Sequence, residues 1–269
     1  MKKINTHTSS KFHKWRINLS NKLSKKGLNP NYIIQDFDTL CINDGKILAY
    51  VEIKRSFYNL IKWYPFKADY NNYKALFELS KKTNSQLWVF YKQKNANILK
   101  QGLSIFLMND VSNFKFDFEK KIFSFKEFNE FLLSHDIGSS EFKVESYKDS
   151  YLEKDEENIY FILSKYFKNN FYFDNNNTWS MIISDTIKYL PKLLYIEIII
   201  DDVDAFDFKD FKDNMIYQLS KKLNVPFWII GYLKEFDKIY LLNKDGMGSK
   251  TVYNMNDFET IYIPYLMQK

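Results

Sequence analysis

Self-similarity over a long offset constrains this chain more than any other feature. Leu79-Ser80-Lys81-Lys82-Thr83-Asn84-Ser85-Gln86-Leu87-Trp88-Val89-Phe90 is answered by Leu219-Ser220-Lys221-Lys222-Leu223-Asn224-Val225-Pro226-Phe227-Trp228-Ile229-Ile230. Upstream, Leu48-Ala49-Tyr50-Val51-Glu52-Ile53-Lys54 is matched to Leu193-Leu194-Tyr195-Ile196-Glu197-Ile198-Ile199, and Asp38-Thr39-Leu40 to Asp185-Thr186-Ile187. Downstream, Ile105-Phe106-Leu107 resembles Ile239-Tyr240-Leu241, and Phe123-Ser124-Phe125-Lys126-Glu127-Phe128 resembles Tyr253-Asn254-Met255-Asn256-Asp257-Phe258. Convergent patterning can mimic one block, but hardly several in one order. The chain therefore reads as a duplication, residues 1–140 and 141–269, joined by a polar stretch near Ser134 to Glu157.

Each copy follows one order of elements. In the first, Lys11 to Lys26 is an amphipathic helix with Phe12, Trp15, Leu19 and Leu23 on one face, ending at Gly27. Strands are expected at Tyr32 to Ile42 and Ile47 to Lys54, joined by the hairpin signal Asn43-Asp44-Gly45. A helix over Asp69 to Lys82, strands at Gln86 to Lys92 and Leu103 to Met108, and a helix from Phe125 complete it. This order implies an α/β fold with a mixed sheet flanked by helices in each copy.

The hairpin carries the candidate chemistry. Strand residues alternate faces, so Glu52 and Lys54 share one side of the second strand, and Asp36 and Asp38 share one side of the first. A three-residue loop with Gly45 in the left-handed region sets Asp36 opposite Glu52 and Asp38 one pair along. A two-residue turn shifts the register and sends the acids to the wrong face. Carboxylates gathered in this way repel unless a cation sits among them, and their oxygens suit Mg²⁺ or Mn²⁺. Such an ion would activate a water against a phosphodiester, with Lys54 placing the water or balancing the growing charge.

Asp38, followed across a hairpin by Glu52-Ile53-Lys54 on an apolar strand, resembles the D…(D/E)-x-K signature of the PD-(D/E)XK nuclease superfamily. The likeness spans residues 11–92 and, in degraded form, 158–232. It implies two tandem restriction-endonuclease-like domains and metal-dependent hydrolysis of nucleic acid, DNA ahead of RNA. By motif match Asp38 and Glu52 would bind the metal and Lys54 would assist the water. The usual proline before the acid is absent, and Gln35-Asp36-Phe37-Asp38 leaves Asp36 as a rival ligand.

In the second copy Asp185 and Glu197 stand at the acidic positions, but Ile199 replaces the lysine, so a degenerate site is expected there. Asp201, Asp202, Asp204, Asp207, Asp210 and Asp213 follow it, a run that repels phosphate or simply forms a solvated loop and helix start. Superfamily members often pair. One live and one dead copy would preserve a pseudo-twofold arrangement with a single cutting centre, in a monomer or dimer.

Charge divides the same way. Residues 1–140 hold 23 basic and 12 acidic side chains, a net +11, while residues 141–269 hold 16 and 21, a net −5. Lys11, Lys14, Arg16, Arg55 and Lys62 are the candidate phosphate contacts, and Trp63 and Tyr64 can stack on exposed bases or pack into the core. The Lys, Asn, Ile, Phe and Tyr excess also suits an AT-rich coding sequence, as in phages, viruses and mobile elements.

Other chemistries lack their residues. Cys41 is the one cysteine, and His7, His13 and His135 are dispersed, against a disulfide or a Cys/His zinc site. There is no signal-peptide pattern, no apolar run long enough to span a bilayer, no G-x-x-x-x-G-K-[ST] loop and no G-x-S-x-G elbow. A cytoplasmic protein that does not meet the membrane is expected.

Overall fold

The computed structural model describes residues 11–28, 32–36, 38–94, 101–135, 137, 159, 163, 167, 170–172, 178–200, 214–232, 238–244 and 250–267. The chain is α/β and divides into two compact units, residues 37–173 and residues 1–36 with 174–269. Each contains a six-stranded mixed sheet.

The 37–173 unit is built on β2 (Thr39–Asn43), β3 (Lys46–Ser56), β4 (Gln86–Gln93), β5 (Leu103–Ser112), β6 (Lys115–Phe123) and β7 (Phe171–Tyr172), in the order β6-β5-β4-β3-β2-β7. β3 and β4 run parallel, joined by α2 (Tyr70–Thr83), and the remaining neighbours are antiparallel. One sheet face presents Cys41, Ala49, Val51, Ile53, Trp88, Phe90 and Ile105 to α3 (Phe125–Leu133) and to Ile159, Leu163 and Phe167. Ile159 and Leu163 are helical, and the Phe167 N–H bonds to the Leu163 carbonyl at 2.9 Å. Ser124 and Glu127 start α3 with a reciprocal capping box. The outermost strand β6 is studded with lysines, which discourages further strand addition.

The other unit comprises α1 (Lys11–Lys25), β1 (Tyr32–Asp36), β8 (Thr178–Asp185), β9 (Pro191–Ile199), α4 (Met215–Leu223), β10 (Phe227–Tyr232), β11 (Ile239–Lys244), β12 (Thr251–Tyr253) and α5 (Met255–Leu266). Its sheet order is β1-β8-β9-β10-β11-β12, with β9 and β10 parallel. Phe12, Trp15, Leu19 and Leu23 of α1 pack with Phe258, Tyr262 and Leu266 of α5 on one face. Phe12 stacks on Tyr232 at 5.2 Å.

The units do not follow the division at residue 140. The opening helix and strand, α1 and β1, belong to the sheet built by the second repeat. From the corresponding stretch of that repeat, β7 pairs with β2 of the other sheet, and Ile159, Leu163 and Phe167 pack in the same core. Strands in the two copies otherwise recur in the same sheet order, as a duplication requires.

Both repeats stop their crossover helix in the same way. Asn84 after α2 and Asn224 after α4 adopt left-handed conformations with φ of 55° and 54°, and their N–H groups bond back to the last turn. Asparagine tolerates that region better than most residues, so the shared Lys-Lys-x-Asn is a stop signal.

Candidate functional site

The hairpin places the acids by a route other than the expected one. Asn43 pairs with Lys46, so the turn has two residues, Asp44 and Gly45, with φ of 46° and 71°. Alone, this turn would send Asp38 to the face opposite Glu52. A register shift corrects the parity, because Cys41 pairs with Ala49 but Ile42 with Ile47, leaving Leu48 extra. Thr39 therefore pairs with Val51, and Asp38, one residue earlier, comes level with Glu52. The Asp38 carboxylate accepts a hydrogen bond from the Ile53 N–H at 2.7 Å.

Glu52 and Lys54 lie on the sheet face covered by α2. Glu52 is buried, and its Oε1 stands 2.7 Å from Lys54 Nζ. Burial opposes the Lys54 ammonium, but attraction to Glu52 and the hydrogen bond it donates there, then attraction to Asp69 and Asp38, hold its pKa above the ordinary lysine value. Lys54 is charged throughout the physiological range.

Two further residues complete this cluster, and neither was expected from the sequence. Asp69, at the end of a 3₁₀ turn (Lys67–Asp69) leading into α2, has Oδ2 3.8 Å from Lys54 Nζ. Tyr73, one helical turn further on, is fully buried, with the Lys54 ammonium 5.7 Å from its ring centroid. Its hydroxyl has no hydrogen-bond partner. Burial raises its pKa, and the fields of Glu52, Asp69 and Asp38 raise it further, so the group stays a neutral donor. The i, i+4 spacing of Asp69 and Tyr73 was the available signal, masked by the abundance of tyrosine.

Among the described residues no three carboxylate, imidazole or thiol side chains form a ready metal cage. The donors are nonetheless those of a hard cation, which needs only one or two carboxylates when water and substrate phosphate supply the rest. Asp38 and Glu52 fit that requirement, and the unsatisfied Tyr73 hydroxyl leaves a donor for a further oxygen.

Other expected site residues fall elsewhere. Asp36 is exposed at the end of β1, where it pairs with Met181 of β8, and it does not stand opposite Glu52. Arg16 is buried, and its Nε lies 3.1 Å from Oε1 of the fully buried Glu197. Burial works against the guanidinium, but Glu197 foremost, then Tyr195, Tyr262 and Asp36, holds its pKa above normal. Arg16 is thus a core ion pair and not a phosphate contact. Lys14 is exposed on α1, and Lys11 begins that helix, both in the unit lacking the Asp38 cluster. Arg55, next to Lys54 in the chain, and Lys62 are exposed, in the cluster's own unit. Trp63 is buried, stacked on Tyr91 at 4.2 Å, while Tyr64 is exposed.

The degenerate site needs a correction of one residue. Trp88 pairs with Val51 and its counterpart Trp228 with Tyr195, so Ile196 and Ile198 occupy the places of Glu52 and Lys54. Glu197 points to the opposite face, toward α1, and takes the place of Ile53. Ser180, which pairs with Ile196, stands where Asp38 does. Asp185 instead closes the β8–β9 turn, accepting from the N–H groups of Ile187, Lys188 and Leu190. Ile199 ends β9 one residue beyond the lysine position. The acidic run from Asp201 to Asp213 lies outside the described residues, as does His7.

No family model matches this chain, and no curated protein matches it. Among solved structures it is similar to the sex pheromone staph-cAM373 precursor, at 10% identity and a TM-score of 0.20, covering 95% of this chain and 98% of that one. A sex pheromone precursor from Lactobacillus salivarius subsp. salivarius UCC118 is 11% identical with a TM-score of 0.17, covering 83% and 67%. Likenesses this weak carry no argument about fold or activity. No helix among the described residues is long and apolar enough to cross a membrane, which leaves β-barrels untouched.

Proposed function

We propose that this chain is a Mg²⁺- or Mn²⁺-dependent endonuclease of the PD-(D/E)XK type, acting on DNA inside the cell through one centre in the 37–173 unit. The observation that carries the reading is the convergence of Asp38, Glu52 and Lys54 from two paired strands, with Asp69 against the same ammonium. Asp38 and Glu52 would hold the cation, which supplies an activated water and charge neutralisation at the phosphate. The chain's own part is positional. Lys54, kept charged by its acidic neighbours, offsets charge gathering on the phosphate oxygens. Tyr73 donates its unclaimed proton to an oxygen in the same enclosure. Burial of Glu52 limits competing water and strengthens each of these interactions.

A single centre follows from Ser180, Ile196 and Ile198 at the matching places of the other unit, since none of the three can replace a metal-binding acid or a lysine. Monomeric protein should therefore nick, and a double-strand cut in one encounter would count against this. Plasmid and short oligonucleotides incubated with and without Mg²⁺, beside Glu52→Ala, provide the test. Metal-dependent cleavage lost in the variant is the expected result, and metal-independent or variant-insensitive cleavage refutes it. A second reading is a silent nucleic-acid-binding protein on the same fold. It predicts binding with no cleavage at any metal concentration.

A further inference from the structure

The segment between Lys54 and α2 does something a folding argument does not require. From Arg55 to Ala68 the chain alternates buried anchors with exposed rings. Leu60 and Trp63 are buried, while Phe57, Tyr58, Ile61, Tyr64 and Phe66 are 46–70% exposed. Exposed apolar side chains this dense usually mark a binding surface.

This surface is held in place. The Tyr91 hydroxyl bonds to the carbonyl oxygens of Ser56 and Tyr58, and the Ser104 hydroxyl donates to Leu60 O at 3.0 Å. Lys120 Nζ donates to the carbonyls of Ile61 at 2.7 Å and Trp63 at 3.0 Å. The Trp63–Tyr91 stack sits beneath. The rings are therefore presented on a fixed backbone, which lowers the entropy cost of binding.

Charge identifies the occupant. Arg55, Lys62 and Lys67 lie in this stretch, and no acid occurs between Arg55 and Ala68. Lys120 Nζ stands 4.2 Å from the Tyr64 ring centroid and Lys94 Nζ 5.1 Å from that of Phe57. Protein interfaces are depleted in lysine at their centres, whereas rings alternating with cations match bases alternating with phosphates. A groove alongside, lined by Asn59, Leu60, Ile61, Gln93, Gln101 and Ile122, adds amides able to bond base edges. Paired bases are stacked within the duplex and cannot reach such rings, but unpaired bases can.

We propose that the Arg55–Ala68 segment is a stacking platform for an unpaired nucleic-acid strand, feeding the phosphate at its end to the Asp38–Glu52–Lys54 cluster, whose Lys54 directly precedes Arg55 on β3. The proposal deepens the hydrolase reading and rests on it for the location of the scissile phosphate. The substrate class is single-stranded nucleic acid, or a duplex with an unpaired end or flap.

Fluorescence anisotropy of labelled oligo(dT) and of a duplex of equal length, both in EDTA, separates binding from cleavage. Oligo(dT) should bind at least about tenfold more tightly than duplex. Phe57→Ala with Tyr64→Ala should weaken it by about tenfold or more, with the folded-state circular dichroism spectrum retained. Phe57→Leu with Tyr64→Leu keeps apolar bulk, guards against a folding effect and should show the same loss. Equal affinity for duplex, wild-type affinity in both double variants, or no affinity for either oligonucleotide overturns the platform. Metal-dependent duplex cleavage without single-strand preference sinks the platform and spares the hydrolase. Tight oligo(dT) binding with no cleavage under Mg²⁺ does the reverse.

Discussion

At the residue scale, buried charges divide into two kinds. Lys54 touches Glu52 and Asp69 at a partly open edge, where its side chain keeps about a quarter of its exposure. Arg16 and Glu197 are sealed in a core, and there an unpaired charge costs far more than the pair contributes. Arg16→Met alone should lower stability by about 3–5 kcal/mol in urea melts, and adding Glu197→Met should restore most of it. A double variant as unstable as the single one would refute the core-pair assignment. Lys54→Met, by contrast, should leave DNA affinity in EDTA within about twofold while cutting the cleavage rate by about 100-fold or more. Single-turnover assays under saturating Mg²⁺ measure that split. Glu52-Ile53-Lys54 and Asp38 were legible in the sequence because strand alternation makes a checkable demand on side-chain direction. Asp69 and Tyr73 were not, since their i, i+4 spacing puts them on one helix face without saying that this face folds back over β3.

At the element scale, short-range signals did most of what was asked. Asp44-Gly45 makes the turn, Ser124 with Glu127 opens α3, and Asn84 closes α2. Asn84→Ala should cost about 1 kcal/mol, because alanine pays to enter the left-handed region, while Asn84→Gly should be neutral or slightly stabilising. Thermal melts of both variants test the pair, and equal losses would mean the asparagine side chain acts through something else. The extra residue at Leu48 was illegible. A bulge and a three-residue turn give the same parity at Asp38, and the sequence contains no mark that separates them. The one-residue slip of Glu197 has a similar origin. Leu193 to Ile200 is apolar on both faces, so alternation offers no register.

At the scale of the whole molecule, the division into residues 37–173 and the remainder changes what can fold alone. A fragment of residues 37–173 keeps its core, whereas residues 1–140 lose Ile159, Leu163, Phe167 and Phe171. Those side chains stabilise by about 2 kcal/mol each, together comparable to the roughly 5–15 kcal/mol net stability of a domain. The 37–173 fragment should show cooperative unfolding and dispersed amide resonances, and 1–140 should show neither; a folded 1–140 fragment would contradict the assignment. The amino-acid sequence by itself determined the α/β class and the order in which helices and strands follow one another, because these follow from local periodicity and turn chemistry. Only the tertiary structure decided which sheet α1 with β1, and which sheet β7, would join. The two sheets offer the same kind of edge, so an exchange leaves every local pattern unchanged, and only long-range packing chooses between them.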